Sequence, residues 1–342
     1  MSSERRGKSH SRGNSVPLTP SDIKGLSKKW QVDDESEPIL LARSIEEDAP
    51  ELVLYSDKFI VIKPSAGKGF GVYAATNLPR GTRIIEEEPM LSLPGAGYGE
   101  KDIVSAFLKL DDVQQEKYMG LNFRYAGKEC KIAAIFYTNC YGTGSEVSLF
   151  ITCSRLNHAC VPNSHVTWNE KIKRQTCQVI RDVSKGEEIT FNYVSSGIEG
   201  VAKRQEFLRH YGFACGCEVC VPTTSYGRAS ETRREKIAAL NTHIDTWWAN
   251  IKPTTTPFEH ALAEHVIRDL VRLLKEEGLV GPALSEAYNA GYECALKRNQ
   301  RIEARKWALL ELSVDTYTIG MDSPIAMETM DNVSKLLHPM QY

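Results

Sequence analysis

The alternation of hydrophobic and polar positions predicts a β-rich first half of the chain. Between residues 52 and 94, short β-branched and aromatic runs such as "KFIVIKPS" and "TRIIEEEPML" are separated by Gly, Pro and Asn, which predicts strands joined by turns. Residues 101–121 place Ile103, Phe107 and Leu110 at helical spacing, which predicts a helix. Strands return at "TCQVIRDV" and "EEITFNYV", where apolar positions alternate again.

From residue 231 onward the pattern becomes helical. Apolar residues recur there at intervals of four, four and three: Leu262, Val266, Leu270 and Leu273. Gly278 follows them as a predicted C-terminal cap. The segments "ALSEAYNAGYECALKRN" and "RIEARKWALLELSVDTYTIG" flank Asn299 and predict a helical hairpin of tetratricopeptide type. One such pair is too few for a full repeat array.

The predicted organisation is therefore an α+β chain in three parts. Residues 1–51 are basic up to about residue 30 and then acidic, with few aromatics, which predicts a disordered charged tail. An import signal or a nucleic-acid patch is the alternative for its basic part. A β-rich domain is predicted at 52–222 and an all-helical domain at 230–342.

Composition narrows the class of protein. The 342 residues carry a formal net charge of −2, which gives no indication of direct nucleic-acid binding. No apolar run is long enough to cross a membrane, and "MSSERRGKSH" lacks the apolar core of a signal peptide. We therefore expect a nuclear or cytoplasmic protein whose nine cysteines are reduced. In such a protein, a tight cysteine cluster indicates a metal or catalytic site.

The segment "FACGCEVC" places Cys215, Cys217 and Cys220 within six positions. Three thiolates can cover one face of a structural zinc ion, which takes four ligands. The fourth ligand would come from a histidine or from one of the other cysteines: Cys130, Cys140, Cys153, Cys160, Cys177 or Cys294. Cys160 is favoured because "NHACVPN" is turn-like, whereas Cys177 fits an apolar strand. Free surface thiols are the alternative, although they would be open to oxidation.

Three other motifs are weak when taken singly. "GKGFG" at 67–71 is followed by a predicted strand, whereas a dinucleotide fingerprint opens a helix. Its glycines suggest either backbone brought close to a ligand or a plain turn. Asn157 and His158 could be simple turn formers. Tyr193 ends the strand "GEEITFNYV", where a core tyrosine would also fit, its hydroxyl needing a partner.

In this order, the motifs resemble those of SET-domain protein lysine methyltransferases over residues 58–222. "GKGFGVYAATNLPRGTRI" is similar to that family's first cofactor-binding segment. "NHACVPN" is similar to its Asn-His-Ser-Cys-x-Pro-Asn signature, with Ala159 in place of Ser. "GEEITFNY" matches the strand that ends in the catalytic tyrosine, and "FACGCEVC" matches the post-SET segment.

Within that family the chain resembles the SET-and-MYND branch and its fungal relatives. The resemblance implies a helical insert at about 95–149 and a helical C-terminal domain. No cysteine lies between Pro94 and Cys130, so the MYND zinc finger is missing.

The resemblance implies S-adenosylmethionine as methyl donor and the ε-amine of a lysine in a protein substrate, histone or non-histone, as acceptor. Tyr193 and Tyr211 would be catalytic. The cofactor would be bound by eight residues: Lys68, Gly69, Phe70, Asn139, Asn157, His158, Tyr193 and Phe213. A structural Zn²⁺ would be held by four thiolates: Cys160, Cys215, Cys217 and Cys220.

An alternative is a catalytically inactive SET-fold module that contains zinc and binds a partner peptide on its helical half. Neither interpretation predicts a membrane partner. Measured affinity for S-adenosylmethionine would separate them.

Overall fold

The fold is described from a computed structural model over residues 52–124, 130–194, 197–252 and 256–337. The predicted charged tail, residues 1–51, lies outside the described residues. No helix in the described ranges is long and apolar enough to span a membrane.

The β-strands are short and belong to the first half of the chain. In order they are β1 (Tyr55–Ser56), β2 (Ile60–Ser65), β3 (Gly69–Ala74), β4 (Arg83–Glu87), β5 (Leu91–Pro94), β6 (Cys140–Thr143), β7 (Glu146–Leu149), β8 (Asn157–His158), β9 (Ser164–Asn169), β10 (Arg174–Val179) and β11 (Glu188–Phe191). They form sheets with the orders β1-β2-β3-β11-β8, β4-β10-β9 and β5-β7-β6. The first of these sheets carries the candidate site.

The pairing of β8 with β11 is parallel, with Asn157 opposite Thr190 and His158 opposite Phe191. Parallel neighbours need a long connection, and here residues 159–187, including β9 and β10, provide it. The pairing brings the turn after His158 next to the end of β11, two residues before Tyr193. One short strand therefore joins two motifs that are far apart in sequence.

The helices follow the strands, apart from three in the middle of the first half. They are α1 (Glu100–Phe107), α2 (Asp112–Met119), α3 (Lys131–Asn139), α4 (Val201–Leu208), α5 (Ser225–Asn250), α6 (Pro257–Glu276), α7 (Pro282–Lys297), α8 (Arg301–Thr318) and α9 (Pro324–Leu337). The predicted class is confirmed: a β-rich SET-type region, a cysteine cluster after it, and an all-helical C-terminal region.

The single helix expected over 101–121 is wrong in detail, because the segment forms α1 and α2. Asp111 caps the second helix by accepting a hydrogen bond from the Gln114 backbone N–H at 2.8 Å, and the Gln114 side chain accepts one from the Asp111 N–H. This capping box starts a new helix. Apolar spacing runs through such a break and does not reveal it.

The segment expected to be a helical insert, about 95–149, contains helices α1 to α3, the last of which ends at Asn139. Its last ten residues form the β6–β7 hairpin, and β7 pairs with β5 from Leu91↔Leu149 to Pro94↔Glu146. The helices of this segment pack with that hairpin in one core that includes Phe107 and Phe136. The boundaries of the insert stay a prediction.

The predicted helical hairpin forms as α7 and α8 around Asn299, whose φ is +56°. A Cβ built on Gly291 would lie 2.5 Å from Cδ2 of Trp307, so only glycine allows α7 to approach α8 this closely. Gly278, the predicted cap, has φ +76° and donates its N–H to the Lys275 carbonyl at 3.1 Å. The tetratricopeptide likeness of this region stays a prediction.

Candidate functional site

Four cysteines meet where the turn after β8 faces the segment after α4. The Sγ atoms of Cys160, Cys215, Cys217 and Cys220 all lie within 4.8 Å of one another. The Sγ atom of Cys160 is 3.9 Å from that of Cys215 and 3.4 Å from that of Cys220. Tetrahedral zinc with Zn–S bonds of about 2.3 Å would separate its sulfurs by roughly 3.8 Å. The donor set therefore fits a four-coordinate metal.

Cys160, the predicted fourth ligand, lies beside the cysteine triplet, and Cys177, which was predicted to belong to the apolar core, lies in that core. Cys160 is buried in the cluster, whereas Cys177 is buried in β10 among apolar neighbours. Hydrogen bonds within the cluster, the largest from Cys160, hold the pKa of Cys217 well below its usual range. The hydrogen bond with Cys215 instead raises the pKa of Cys160, so the four thiols do not all favour the thiolate, which is the form that binds metal.

A buried arginine lies against the cluster. Arg204 of α4 has a relative exposure of 0%. Its Nη2 is 3.5 Å from Sγ of Cys220 and donates to the Val219 carbonyl at 3.2 Å. A buried cation is stable only beside compensating charge, and four thiolates on a divalent ion carry a net charge of −2.

A second buried arginine ties the helical region to the same turn. Arg234 of α5 donates through Nη2 to the Cys160 carbonyl at 3.0 Å and through Nε to the Glu277 carboxylate at 2.7 Å. Glu277, just after α6, also accepts from Arg233 Nε at 2.8 Å. Arg234 and Glu277 side chains are 0% exposed. The helices therefore hold the backbone of the cluster turn in place.

Aromatic rings gather around Tyr193, two residues after β11. Its ring centroid lies 5.0 Å from that of Tyr211, 6.3 Å from that of Phe213 and 5.3 Å from that of His158. The Tyr193 hydroxyl donates to the Leu156 carbonyl at 2.7 Å. Burial raises the pKa of Tyr193 and of Tyr211, so both phenols stay protonated at neutral pH. The two predicted catalytic tyrosines are neighbours.

The His158 imidazole lies between the ring set and the thiols. Its Nδ1 is 3.1 Å from the backbone nitrogen of Tyr193, and its Nε2 is 3.2 Å from Sγ of Cys160. Burial lowers the pKa of His158 to about 3, so the ring is neutral at physiological pH.

The glycine-rich segment faces Asn157 across β3 and β11. The Asn157 side-chain Nδ2 donates to the Phe70 carbonyl at 3.2 Å and to Glu188 at 2.8 Å. Lys68 Nζ forms an ion pair with the same carboxylate at 2.9 Å. A Cβ on Gly71 would lie 2.6 Å from Oε1 of Glu188, so glycine leaves room for this junction.

Asn139 lies at the end of α3 and is connected to the glycine-rich segment through Asn122. Its Nδ2 donates to the carbonyls of Asn122 at 2.7 Å and Ile135 at 2.8 Å. The Asn122 side chain in turn donates to the Lys68 carbonyl at 3.3 Å. Next to it, Gly69 has φ +74°, a conformation that suits glycine.

Sequence reasoning missed several residues of this site, among them Asn122, Tyr141, Glu188, Arg204 and Arg234. Glu188 has a weak signal, as a charged residue entering an apolar strand. Tyr141 is buried with its ring centroid 6.1 Å from that of Phe191, and its hydroxyl donates to the Cys153 carbonyl at 3.0 Å. Nothing in the local sequence singles out Asn122 or Tyr141.

Comparison with known proteins identifies the region that holds these residues. The model of the SET domain family matches residues 69–194. This chain carries a SET domain. The match includes β3 through Tyr193 and ends before the cysteine triplet.

Among the relatives, the match to one fungal protein is longer than the domain itself. The chain is 29% identical over 186 residues to the histone-lysine N-methyltransferase set5 of Schizosaccharomyces pombe, covering 54% of this chain and 57% of that protein. It is 27% identical over 77 residues to a SET and MYND domain-containing protein of Dictyostelium discoideum, covering 22% of each chain. It is 31% identical over 97 residues to the human protein-lysine N-trimethyltransferase SMYD5, covering 28% of this chain and 22% of that protein.

The predicted resemblance to the SET family, with its fungal and SET-and-MYND relatives, is confirmed by these matches. The SET-domain chain spans little more than half the length of the fungal relative, and less of the other two.

Proposed function

We propose that this chain transfers a methyl group from S-adenosylmethionine to the ε-amine of a lysine in a protein substrate. The observation that carries the proposal is the contact of the Tyr193 ring with the rings of Tyr211, Phe213 and His158. Next to His158, the Asn157 side chain bonds the Phe70 carbonyl of the glycine-rich segment, so direct contacts link the predicted motifs.

The residues present suit the predicted cofactor. Phe213 is 38% exposed although it borders the largely buried rings of His158 and Tyr193, so an adenine could cover its free face. Asn157 uses Nδ2 for Phe70 and Glu188, and its Oδ1 is the atom we assign to the cofactor. We also assign the backbone of Lys68, Gly69 and Phe70 to cofactor binding.

The chemistry rests on alignment. S-adenosylmethionine, when bound, supplies an electrophilic sulfonium methyl group. The attacking lysine must be neutral, yet an exposed lysine has a pKa of about 10.4. Aromatic walls that exclude water lower that pKa, because desolvation disfavours the charged form. Holding the reactants in line can supply roughly 7–11 kcal/mol of the barrier.

Tyr193 is the residue we assign to the amine. Its hydroxyl hydrogen is already used by the Leu156 carbonyl, so its oxygen presents lone pairs that can accept from an amine N–H. Tyr211 forms the facing wall of the channel. A phenol is protonated at neutral pH even at its ordinary pKa of about 10, and burial raises the pKa of both tyrosines further.

We assign a structural Zn²⁺ to the four thiols. Four protein ligands leave no open position for chemistry. The ion would tie the turn containing Cys160 to the segment that carries Phe213, two residues before Cys215. It would therefore order the aromatic wall.

The decisive experiment is labelled methyl transfer. Full-length protein is incubated with tritiated S-adenosylmethionine and either core histones or a whole-cell extract, and labelled lysines are identified by mass spectrometry. Label on a lysine is the expected result. Cofactor binding without label in any protein would contradict the enzyme and favour the interaction module. Absence of cofactor binding would contradict both the cofactor and the reaction.

The substrate is proposed to be a histone because relatives carry that activity in their names. On the same ground we propose a nuclear location for part of the protein at least. The helical region, with its predicted tetratricopeptide-like hairpin, is proposed to bind a peptide partner.

A further inference from the structure

The His158 side chain has two polar neighbours on opposite sides of its ring. The backbone N–H of Tyr193 points at Nδ1 from 3.1 Å, and Sγ of Cys160 lies 3.2 Å from Nε2. The ring is buried, and its centroid is 5.3 Å from that of Tyr193. Both contacts therefore lie inside the protein, where water does not compete.

The valence of imidazole decides which atom carries the proton. A backbone N–H can only donate, so Nδ1 must present its lone pair. A neutral imidazole then carries its proton on Nε2. Nε2–H must consequently donate to the sulfur of Cys160, and a metal-bound thiolate is a good acceptor for it.

We propose that His158 is a positioning residue that couples the thiol cluster to Tyr193, a role that rests on the proposed methyl transfer. Through Nε2–H it holds the Cys160 thiolate, and through Nδ1 it holds the backbone of Tyr193. Loading or loss of metal then changes the position of the tyrosine. The imidazole thus acts through protein contacts, beyond the cofactor contact that the family resemblance assigned to this position.

Surrounding hydrogen bonds hold the backbone of the turn that contains Cys160. Arg234 donates to the Cys160 carbonyl at 3.0 Å, and the Ala159 N–H donates to the Phe191 carbonyl at 3.0 Å. The turn is therefore clamped at its backbone, and the remaining freedom lies in the sulfur and the imidazole. A rigid site needs its reacting groups held by just such supporting bonds.

The proton position can be tested without any enzyme assay. In zinc-loaded full-length protein labelled with ¹⁵N-histidine, the His158 signal, identified by its loss in His158→Asn, should show protonated Nε2 and unprotonated Nδ1. After replacement of zinc by ¹¹³Cd²⁺, the cadmium resonance should shift in His158→Asn. It should stay in place in His165→Asn, a control at a partly buried histidine of β9 that is not among the cluster residues. Protonated Nδ1, or an unshifted cadmium resonance, would overturn the proposal.

Two substitutions separate the two hydrogen bonds. Asparagine places its oxygen near the position of Nδ1, so it can still accept from Tyr193 but does not reach Cys160. Glutamine places its amide nitrogen near the position of Nε2, so it can still donate to Cys160 but leaves the Tyr193 N–H without an acceptor.

Each variant is expected to affect mainly one of two measurements, zinc release or kcat. A chelator should strip zinc at least about fivefold faster from His158→Asn than from His158→Gln, because the sulfur has lost its donor. At saturating zinc, kcat should be at least about fivefold lower in His158→Gln than in His158→Asn, because the tyrosine has lost its support. Parallel effects in both measurements would overturn the coupling.

The failure of methyl transfer would be distinguishable from the failure of this inference. A wild-type protein that transfers no methyl group to any substrate contradicts the proposed function. The nitrogen and cadmium spectra would still decide whether the bridge exists.

Discussion

The two halves of the molecule hold their buried polar groups in different ways. In the SET half, Cys160 and Cys220 lie 60 residues apart in sequence and meet between loop and turn segments. In the helical half, Asp315 of α8 accepts from Ser285 of α7, and from Thr329 of α9 at 2.7 Å. Regular helix packing brings the second set together, whereas an ion is proposed to hold the first.

This difference predicts that the helical half is stabilised by its apolar core, whereas the cluster depends on a bound metal. Helices α6 to α8 share an apolar core that includes Leu270, Tyr288 and Trp307, so their polar bonds are additions to an already packed structure. The cluster packs against only a few apolar residues, such as Val219 and Val161. A loop with so little core depends on metal-binding free energy for its folding.

The largest expected effect is that of metal removal. Cys160→Ser, or chelation of the wild type, should release zinc and expose residues 209–222 to hydrogen exchange. Amides of α7 and α8 should keep their protection. Elemental analysis and exchange measured by mass spectrometry test this.

Cys177→Ser is the matched control for that experiment, since Cys160 and Cys177 are both 0% exposed. It should retain its zinc. Less than about half an equivalent of zinc in freshly purified wild-type protein would contradict a structural site.

Tyr193→Phe should lower kcat by roughly 10²–10³ because it removes one well-placed polar group from the reacting centre. Affinity for S-adenosylmethionine should change less than about threefold, since the ring remains. Single-turnover methyl transfer and calorimetry measure the two quantities.

Tyr118→Phe is the control for the lost hydroxyl, because Tyr118 also donates to a backbone carbonyl, that of Ile132, at 2.7 Å. The melting temperature should decrease by a similar amount in both variants, whereas kcat should decrease only in Tyr193→Phe. Normal turnover in Tyr193→Phe would make Tyr193 a packing residue and Tyr211 the leading catalytic candidate.

Arg204→Met tests the charge beside the cluster. Methionine keeps much of the buried volume but removes the cation 3.5 Å from Sγ of Cys220. Zinc affinity should fall by about 10–100-fold, the usual cost of losing an outer-shell partner. Competition with a chromophoric chelator measures it. Lys203→Met, on the exposed side of the same helix, should leave zinc affinity unchanged; an equal loss there would refute a specific role for Arg204.

Asn157→Ala and Asn289→Ala compare one asparagine–glutamate bond in each half. Asn157 bonds Glu188 at 2.8 Å, and Asn289 of α7 bonds Glu311 at 3.1 Å. The first variant should weaken S-adenosylmethionine binding by about 5–150-fold, equivalent to 1–3 kcal/mol. The second should lower stability alone. Titration calorimetry with S-adenosylmethionine measures the change in affinity. A nicotinamide dinucleotide is expected not to bind in the same experiment. Binding of the dinucleotide alone would show that the glycine-rich segment has been misinterpreted.

The smallest effect is expected at the ion pair that spans the halves. Arg83 of β4 donates to Asp322, which lies between α8 and α9, at 3.0 Å, and both side chains are partly exposed. Asp322→Asn should therefore cost less than about 1 kcal/mol in the free energy of unfolding. A larger loss in denaturant melts would show that the halves depend on this pair.

The pH dependence of that pair has a definite sign. The hydrogen bond from Arg83 lowers the pKa of Asp322. Its contribution is therefore present above the ordinary aspartate pKa and is lost as the pH falls through the lowered value. Denaturant melts of wild type and Asp322→Asn should converge in that acidic range.

The sequence by itself determined the class of the fold and most of the candidate site. Strand alternation, helical spacing and the order of four short motifs predicted the β-rich half, the helical half and the cluster of Cys160 with the cysteine triplet. The strands, helices and motifs are local, since each depends on residues within one turn, strand or motif, whereas the pairing of Cys160 with the triplet followed from the order of the motifs and the family resemblance. The break between α1 and α2 was missed because Asp111 acts as a cap that apolar spacing does not register.

Only the tertiary structure decided which side chains support the site. Glu188 reaches Lys68 across 120 residues, Arg204 faces the thiols, and His158 joins Cys160 to Tyr193. These contacts depend on the pairing of β11 with β3 and with β8, and on how α4 and α5 pack against the turn that follows β8. Hydrogen bonds between side chains form only where folding places donor and acceptor within about 3 Å of each other, and the pattern along a chain does not contain that distance.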